Sequence, residues 1–550
     1  MLKLATLLEN PGEPQVHSRY EDPAQLKALG YHGLVIYEST ALSGMQNADA
    51  IGSDEVRRWV ASRVDHIGQT INAAHAAGLA VYLSYDVLVL PVHVVERNIN
   101  RLCCKGRPQV LCPASEQALE KSASALEALI NQWPKIAGVV LRFGDTDAQR
   151  LPHLIGNDLY SPHCPRCSQF GRADRATSFI KRYHQLVVEQ MNKRLIVRAW
   201  NLRPGGMHDV PDLAKRIAAD LPGDPEDDRL VLSFKFTQTD FWRYQRWNPS
   251  SLVCGDRPIL YELQCQREFE GKGGIPNWQA SLWRDGGSEV AKLEGEVHGL
   301  AEAVDRVNLA GVWAWVRGGG WGGPFVKNEQ WIDANVYAAP LLADDPQADP
   351  NALARQWVRD RLGLDGDTAT LLVGLLEDSA EFIRQAFYLG PFASGRENPW
   401  HPNADWIQDD LLEARSAWRI IQTLRLSQLD ELLSEKEAAA ESIGRHRAAL
   451  QQIISDRRHR ELEPLVNSLI SAESFFEVLR DMIAGMAAYR RYLKTKDPAQ
   501  AQIVKQKLFS AQDHWNHHTQ RFSSLPGAAT AFREEDFWDV TQDMLAEVDA

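Results

Sequence analysis

Over the first 330 residues, short apolar runs alternate with longer stretches in which apolar and polar positions mix. Eight of these runs read as strands, at 4–9, 33–39, 81–87, 138–144, 195–201, 230–237, 259–265 and 311–318. Each is rich in Val, Ile, Leu or aromatic residues and apolar on both faces, as parallel strands covered on both sides are. Amphipathic stretches at 22–30, 53–78, 115–132, 175–192 and 288–307 read as the helices between them. Eight such repeats in about 330 residues predict a (β/α)8 TIM barrel, an α/β fold. A doubly wound open sheet is the alternative; strand count and length favour the barrel. Beyond about residue 335 the strands stop, and 353–362, 368–387, 409–446, 448–456, 463–493, 498–522 and 534–548 read as helices. The expected organisation is a catalytic barrel over 1–335 and an all-α C-terminal domain over 336–550. No repeat of fixed period is evident.

Composition narrows the class of partner. With 44% hydrophobic and 24% charged residues the chain is globular. A net charge of −13 argues against nucleic acid, whose binders carry a basic footprint. No run of about 18 apolar residues exists, so no membrane span is expected. The apolar stretch at the N-terminus is too short for a signal peptide, which makes the cytoplasm the expected location. Seven cysteines, an odd number, do not suggest a disulfide framework. His163-Cys164-Pro165-Arg166-Cys167 has zinc-knuckle spacing, and His153, Cys103, Cys104 and Cys112 are candidates for further ligands. A closed site needs four ligands and a second Cys-x-x-Cys pair is missing, so no metal is assigned and zinc at His163, Cys164 and Cys167 stays open. Gly318 to Gly323 satisfies G-x-G-x-x-G, but after the eighth strand instead of at a first βα turn, where a dinucleotide site needs it. There it reads better as a loop closing over a sugar with Trp321. No G-x-S-x-G elbow is present.

In a barrel the chemistry sits at the C-terminal ends of the strands. Those positions hold three carboxylates, Asp145, Asp240 and Glu262, and three cations, Arg142, Arg198 and Lys235, embedded in apolar runs. A charge in an apolar strand is costly unless paired or functional. One alone reads as a structural ion pair; six at consecutive strand ends read as a site. Facing carboxylates suit glycoside hydrolysis, one donating a proton to the leaving oxygen and another activating water or attacking the anomeric carbon. Cations beside them suit an acidic group on the sugar. Seventeen tryptophans add stacking platforms, of which Trp200, Trp242, Trp315 and Trp321 are expected to line the site with Asn201. Tyr85, Asp86 and Arg317 are weaker candidates by position alone. Trp313 and Trp315 alternate along one strand and so share a face.

The same residues carry a family resemblance. Val231 to Lys235 with Asp240-Phe241, then Tyr261-Glu262-Leu263-Gln264 and Arg267-Glu268-Phe269, resemble the lysine–aspartate strand and the "EFQ…QEYLG" strand of the glycoside hydrolase family 67 α-glucuronidases. Arg198-Ala199-Trp200 is similar to that family's Arg-Ala-Phe, and 335–342 with 352–357 to its passage into a helical C-terminal domain. The resemblance covers about residues 130–360 in short patches, and the family's usual N-terminal domain is missing. It implies inverting hydrolysis of an α-linked uronic acid, glucuronic acid above all, from an oligosaccharide, in the service of polysaccharide degradation. Asp240 and Glu262 would activate water, while Arg198 and Lys235, joined by Arg142, hold the sugar carboxylate. The family's general acid is a glutamate four residues beyond a strand-four lysine; here Arg142 is followed by Asp145, Thr146 and Asp147. Asp145 is the expected acid, with Asp147 second. No cofactor is required. A glycosidase for another sugar and a non-catalytic carbohydrate-binding relative are the alternatives; the oligomeric state stays open, with the helical domain as the expected interface of a homodimer.

Overall fold

The computed structural model describes residues 1–8, 18–45, 52–146, 151–225, 227–291, 297–318, 329–394, 407–408, 411–455, 460–522, 525, 533–534 and 536–549. Eight parallel strands close into a barrel: β1 Leu2–Leu7, β2 Gly33–Ile36, β3 Ala80–Asp86, β4 Gly138–Gly144, β5 Arg194–Asn201, β6 Leu230–Lys235, β7 Pro258–Gln264 and β8 Asn308–Arg317. Each pairs with the next, and β8 pairs with β1. Closure depends on Gly311, which has φ +149°; a Cβ there would lie 1.9 Å from the Leu2 carbonyl oxygen. Asp54–Ala76 and Glu116–Gln132 are helices whose Ser53 and Ser115 side chains accept from the Val56 and Ala118 amides, the capping that starts a helix.

Register decides which charges meet. Asp86 lies beside Arg142, Arg142 beside Arg198, Lys235 beside Glu262, and Glu262 beside Trp313. Side chains alternate along a strand and register neighbours share a face, so all of these project into the barrel with Ser233. Tyr85 faces the other way. Its hydroxyl donates to the Ser122 carbonyl at 2.7 Å, in the helix Glu116–Gln132, which removes it from the site.

Three expected helices take a different form. Within 288–307 the described residues form a turn at 288–291 and the short helix Leu300–Ala303, with the helix Ala280–Asp285 before them. Gly286, at φ +77°, ends that earlier helix, and the buried Glu289 turns toward Arg243 instead of lying on a helix face. The stretch 409–446 divides into Ala414–Thr423 and Leu426–Ser455, the second absorbing the helix expected at 448–456. Leu424 is extended, and the Gln428 side chain accepts from the Arg425 amide to start the second helix. Pro211–Asp220 is a barrel helix that the pattern did not reveal. The helix Gln330–Asp344 spans the boundary expected at 335 and belongs to the barrel: Tyr31 donates to its Val336 carbonyl at 2.8 Å, and Lys3 of β1 pairs with Asp344.

After it come Pro350–Leu362, Gly366–Phe387, Glu463–Thr495, Pro498–Phe522 and Phe537–Asp549, the all-α domain, whose only strands among the described residues are the two-residue pieces Ile407–Gln408, Leu411–Leu412 and Arg533–Glu534 of one small sheet. The helix Gly366–Phe387 and the residue after it brace the loops beyond β6 and β7. The Ser379 hydroxyl accepts from the Trp278 amide at 2.8 Å, and the Ala380 carbonyl from Arg243 at 2.8 Å. Tyr388 donates to Glu270 at 2.9 Å and accepts from the Arg243 amide. Among the described residues no helix is long and apolar enough to cross a membrane.

Candidate active site

Six of the predicted charges meet at the C-terminal ends of β4 to β7. Glu262 is fully buried and both its oxygens are occupied. Arg198 Nε donates to Oε1 and Oε2 at 3.1 and 3.0 Å, the Ser233 hydroxyl to Oε1 at 2.9 Å, and the Trp315 indole to Oε2 at 3.1 Å. Arg198 also reaches Asp145 Oδ2 at 3.3 Å, so a single guanidinium joins two of the expected carboxylates. Arg142 lies 3.4 Å from Asp86 and 3.4 Å from Asp145 Oδ2, and donates to the Asp145 carbonyl at 2.7 Å. Lys235 pairs with Asp240, whose Oδ1 also accepts from the Phe241 amide at 2.8 Å.

Exposure divides the three carboxylates. The side chains of Asp145 and Asp240 are 20% and 23% exposed, while that of Glu262 is closed off. Burial alone would raise the Asp145 carboxyl; Arg142, Arg198 and Lys235 outweigh it and hold the group below the ordinary carboxylate range. The site as it stands therefore keeps Asp145 ionised, the opposite of the state a general acid needs. The role expected for Glu262 also changes. With no exposed surface and four hydrogen bonds it anchors Arg198, and water reaches Asp145 and Asp240 instead.

The cations are equally committed. Arg142 and Arg198 are buried beneath Asp145, and both are engaged by the protein's own carboxylates. Aromatic rings brace them. The Arg142 guanidinium lies 4.4 Å from the Tyr37 ring centre and that of Arg198 4.9 Å from Trp315; the Lys235 ammonium lies 3.6 Å from Trp200. Trp200 and Trp315 thus hold charges in place and do not present open faces to a sugar. Trp313 stacks on Trp315 with centroids 5.3 Å apart, on the shared face expected of them. Trp242 is buried and stacked on Phe269 at 3.6 Å, packing the loop after β6 onto the one after β7; it offers no platform. Asn201 donates to Asp209 at 3.1 Å and to the Arg203 carbonyl, shaping the loop after β5. Arg317 pairs with Glu329. Trp321 and Asp147 lie outside the described residues, as does nearly all of the glycine-rich segment.

Three contributors were not singled out from the sequence. Ser233 is a ligand of Glu262, and its position two residues before Lys235 on β6 was the available signal. Tyr37 follows β2 and lies over Arg142. His208 is buried between Trp200 and Phe234, and burial pushes it down to about 3, so it stays neutral beside Lys235. Its Nε2 meets the Thr239 carbonyl at 3.0 Å and fixes the loop that carries Asp240.

A cleft of about 970 Å3 opens beside Asp145. Asp145, Thr146 and Asn201 line it together with Arg107, Asp158, His163, Arg172 and Arg203. Of the described residues expected to bind substrate, only Asn201 lines this cleft; the cations lie behind Asp145.

No family model and no curated protein matches this chain. Solved structures similar to this chain include glycoside hydrolases. One is a family 138 enzyme targeting pectin rhamnogalacturonan II, 10% identical with a TM-score of 0.60, the match covering 100% of this chain and 82% of that one. Another is the O-GlcNAc hydrolase of Thermobaculum terrenum, 12% identical with a TM-score of 0.44, covering 100% and 94%. At 10% identity the likeness to the family 138 enzyme is one of fold alone.

Proposed function

We propose that this protein is a glycoside hydrolase that cleaves the bond to a carboxylate-bearing sugar, a uronic acid such as glucuronic acid. The observation that carries this reading is the charge cluster itself: three cations against Asp86, Asp145, Asp240 and Glu262, with only Asp145 and Asp240 partly open among these four carboxylates. A sugar carboxylate arriving at Asp145 competes with it for Arg142 and Arg198 and adds a negative charge beside it. Both effects raise the Asp145 carboxyl toward the protonated form. The substrate thus converts Asp145 from counter-ion to acid. Asp145 then gives its proton to the glycosidic oxygen as the C–O bond breaks, and Asp240 takes the proton of the water that attacks the anomeric carbon. Glu262 and Asp86 keep the arginines aligned throughout. The sequence patches that resemble α-glucuronidases support the acidic sugar, and the fold neighbour that acts on pectin rhamnogalacturonan II supports a polysaccharide as its source. The inversion implied by that resemblance is read from the anomer released first.

A second reading has a specific observation in its favour. Arg142 and Arg198 are buried and already paired, as they would be if they only oriented the catalytic carboxylates for a neutral sugar. Acidic oligosaccharides and their carboxyl-reduced counterparts separate the two readings. The acidic-sugar reading expects reduction to lower kcat/KM about a hundredfold, roughly 2.7 kcal/mol of lost transition-state binding. Equal rates on both forms establish the neutral reading, and activity unchanged in Asp145→Asn removes both.

A further inference from the structure

Outside the active site, two segments far apart in sequence bring four sulfurs together. Cys104 and Cys112 flank the hairpin built on Arg107–Leu111, and Cys164 and Cys167 belong to the turn Cys164-Pro165-Arg166-Cys167. All four are buried, and their Sγ atoms lie within 4.8 Å of one another. Cys104 is 3.8 Å from Cys167, Cys112 is 3.8 Å from Cys164, and Cys164 is 3.6 Å from Cys167.

We propose that Cys104, Cys112, Cys164 and Cys167 hold one zinc ion in a closed structural site of four thiolates. The spacing is that of a tetrahedron. With Zn–S near 2.3 Å, the edge between two sulfurs is about 3.8 Å. A disulfide needs about 2.05 Å, far shorter than any of these separations. A soft tetrathiolate set selects zinc or an iron–sulfur centre, and a multinuclear cluster would spread the sulfurs more widely than 4.8 Å allows.

The surroundings supply what thiolates need. The His163 and Cys164 amides donate to Cys167 Sγ at 3.2 and 3.3 Å. Arg166 donates from Nε to Cys112 Sγ at 3.3 Å and from its other nitrogens to the Arg101 and Cys103 carbonyls at 3.1 and 2.9 Å. A guanidinium tied to both segments offsets part of the surplus negative charge of four thiolates on a divalent ion, as outer-shell partners do. The two histidines that the sequence offered as ligands are elsewhere: His163 Nδ1 meets Arg107 at 3.1 Å, and His153 lies by Glu55 and Trp59. Cys103 also turns away, donating to the Pro108 carbonyl at 3.1 Å.

The ion would be a staple for the cleft. Arg107, Pro108, Gln109 and Val110 on one segment and His163 on the other line the cleft beside Asp145. Neither segment has a large apolar core of its own; among the described residues only Val110 and Ala114 pack there beyond the four cysteines. Metal binding would give this wall the rigidity that packing does not.

The test uses the untagged full chain, purified without added metal and analysed by inductively coupled plasma mass spectrometry. One zinc per chain is expected, retained through gel filtration with EDTA and released by a mercurial thiol reagent. Chain grown on cobalt should show the intense d–d bands of a tetrahedral tetrathiolate. Cys112→Ser combined with Cys167→Ser should lose the metal, while Cys254→Ser, outside the quartet, should keep it. After zinc release, limited proteolysis should cut near the hairpin and the Cys164–Cys167 turn before it cuts the barrel. Should the double variant fail to fold, the wild-type metal content and the cobalt spectrum decide alone. Wild-type chain without stoichiometric zinc, with iron in its place, or with a disulfide inside the quartet overturns the proposal.

Discussion

The barrel axis and the junction between barrel and helical domain both bury arginines against carboxylates, with opposite outcomes. At the junction Arg243 meets Glu289 at 2.5 and 2.7 Å, and Arg267 meets Glu270 at 2.5 and 3.1 Å. Two charges of each sign are matched, and all four side chains are at most 4% exposed. Asn277 and Tyr388 donate to the remaining lone pairs of Glu270. At the axis three cations face four carboxylates, and two of the acids are open to solvent. A balanced, sealed cluster positions loops. An unbalanced cluster with accessible acids has a proton to place and a ligand to admit.

That contrast can be broken in several ways. The largest effect is expected at the axis, where Asp145→Asn and Asp240→Asn should each lower kcat by about a thousandfold, within the range of general acid–base catalysis. Near-UV circular dichroism should stay unchanged, and a loss of fold instead would make the axis cluster structural too. At the junction, Arg243→Ala strands Glu289 and should cost about 3–5 kcal/mol of stability in denaturant titration. A small cost there would remove the distinction between the two clusters.

Acid should weaken the junction. Burial would raise Glu289, but Arg243 prevails and holds it down to about 2. A carboxylate depressed in the folded state stabilises above its ordinary value near 4.5 and loses that contribution as the pH falls toward 2. Thermal melts should therefore show a loss on the order of 3 kcal/mol across that window. In Glu289→Gln that share of the loss should vanish, leaving the shares of the other depressed carboxylates such as Asp145.

Two smaller effects sharpen the assignment of roles. Glu262→Gln keeps the shape and removes the charge that anchors Arg198, so kcat should fall only about tenfold, the worth of one charged hydrogen bond. A fall as large as that of Asp145→Asn would return Glu262 to the reacting atoms. Trp242→Phe should cost under about 1.5 kcal/mol and leave KM unchanged, because the ring packs on Phe269 and not on substrate.

Much of this was legible in the chain. The eight strands were, because a parallel strand covered on both faces must be apolar throughout. The convergence of Arg142, Asp145, Arg198, Lys235, Asp240 and Glu262 was too, because each is a charge that an apolar strand end would not otherwise tolerate. Their division of labour was not. Glu262 and Asp240 are equally acidic as letters; four hydrogen bonds and zero exposure distinguish one from the other. Trp242 and Trp315 read alike as platforms, and only their neighbours, Phe269 and Glu262, show that they are packing and a hydrogen-bond donor. At the start of the helix expected at 288–307, Glu289 lies in a turn and pairs with Arg243, 46 residues away, a contact that no local pattern announces.

The cysteines show the same limit. Cys164 and Cys167 announced themselves by their spacing, while Cys104 and Cys112 carry no motif and lie 52 or more residues away. Chain-local information therefore determined the barrel, the helical region and the residues able to do chemistry, since hydrophobic period and the cost of burying charge act over neighbouring positions. Which groups touch, which remain open to water and which four sulfurs meet depend on contacts between distant segments, and those were decided only when the barrel closed.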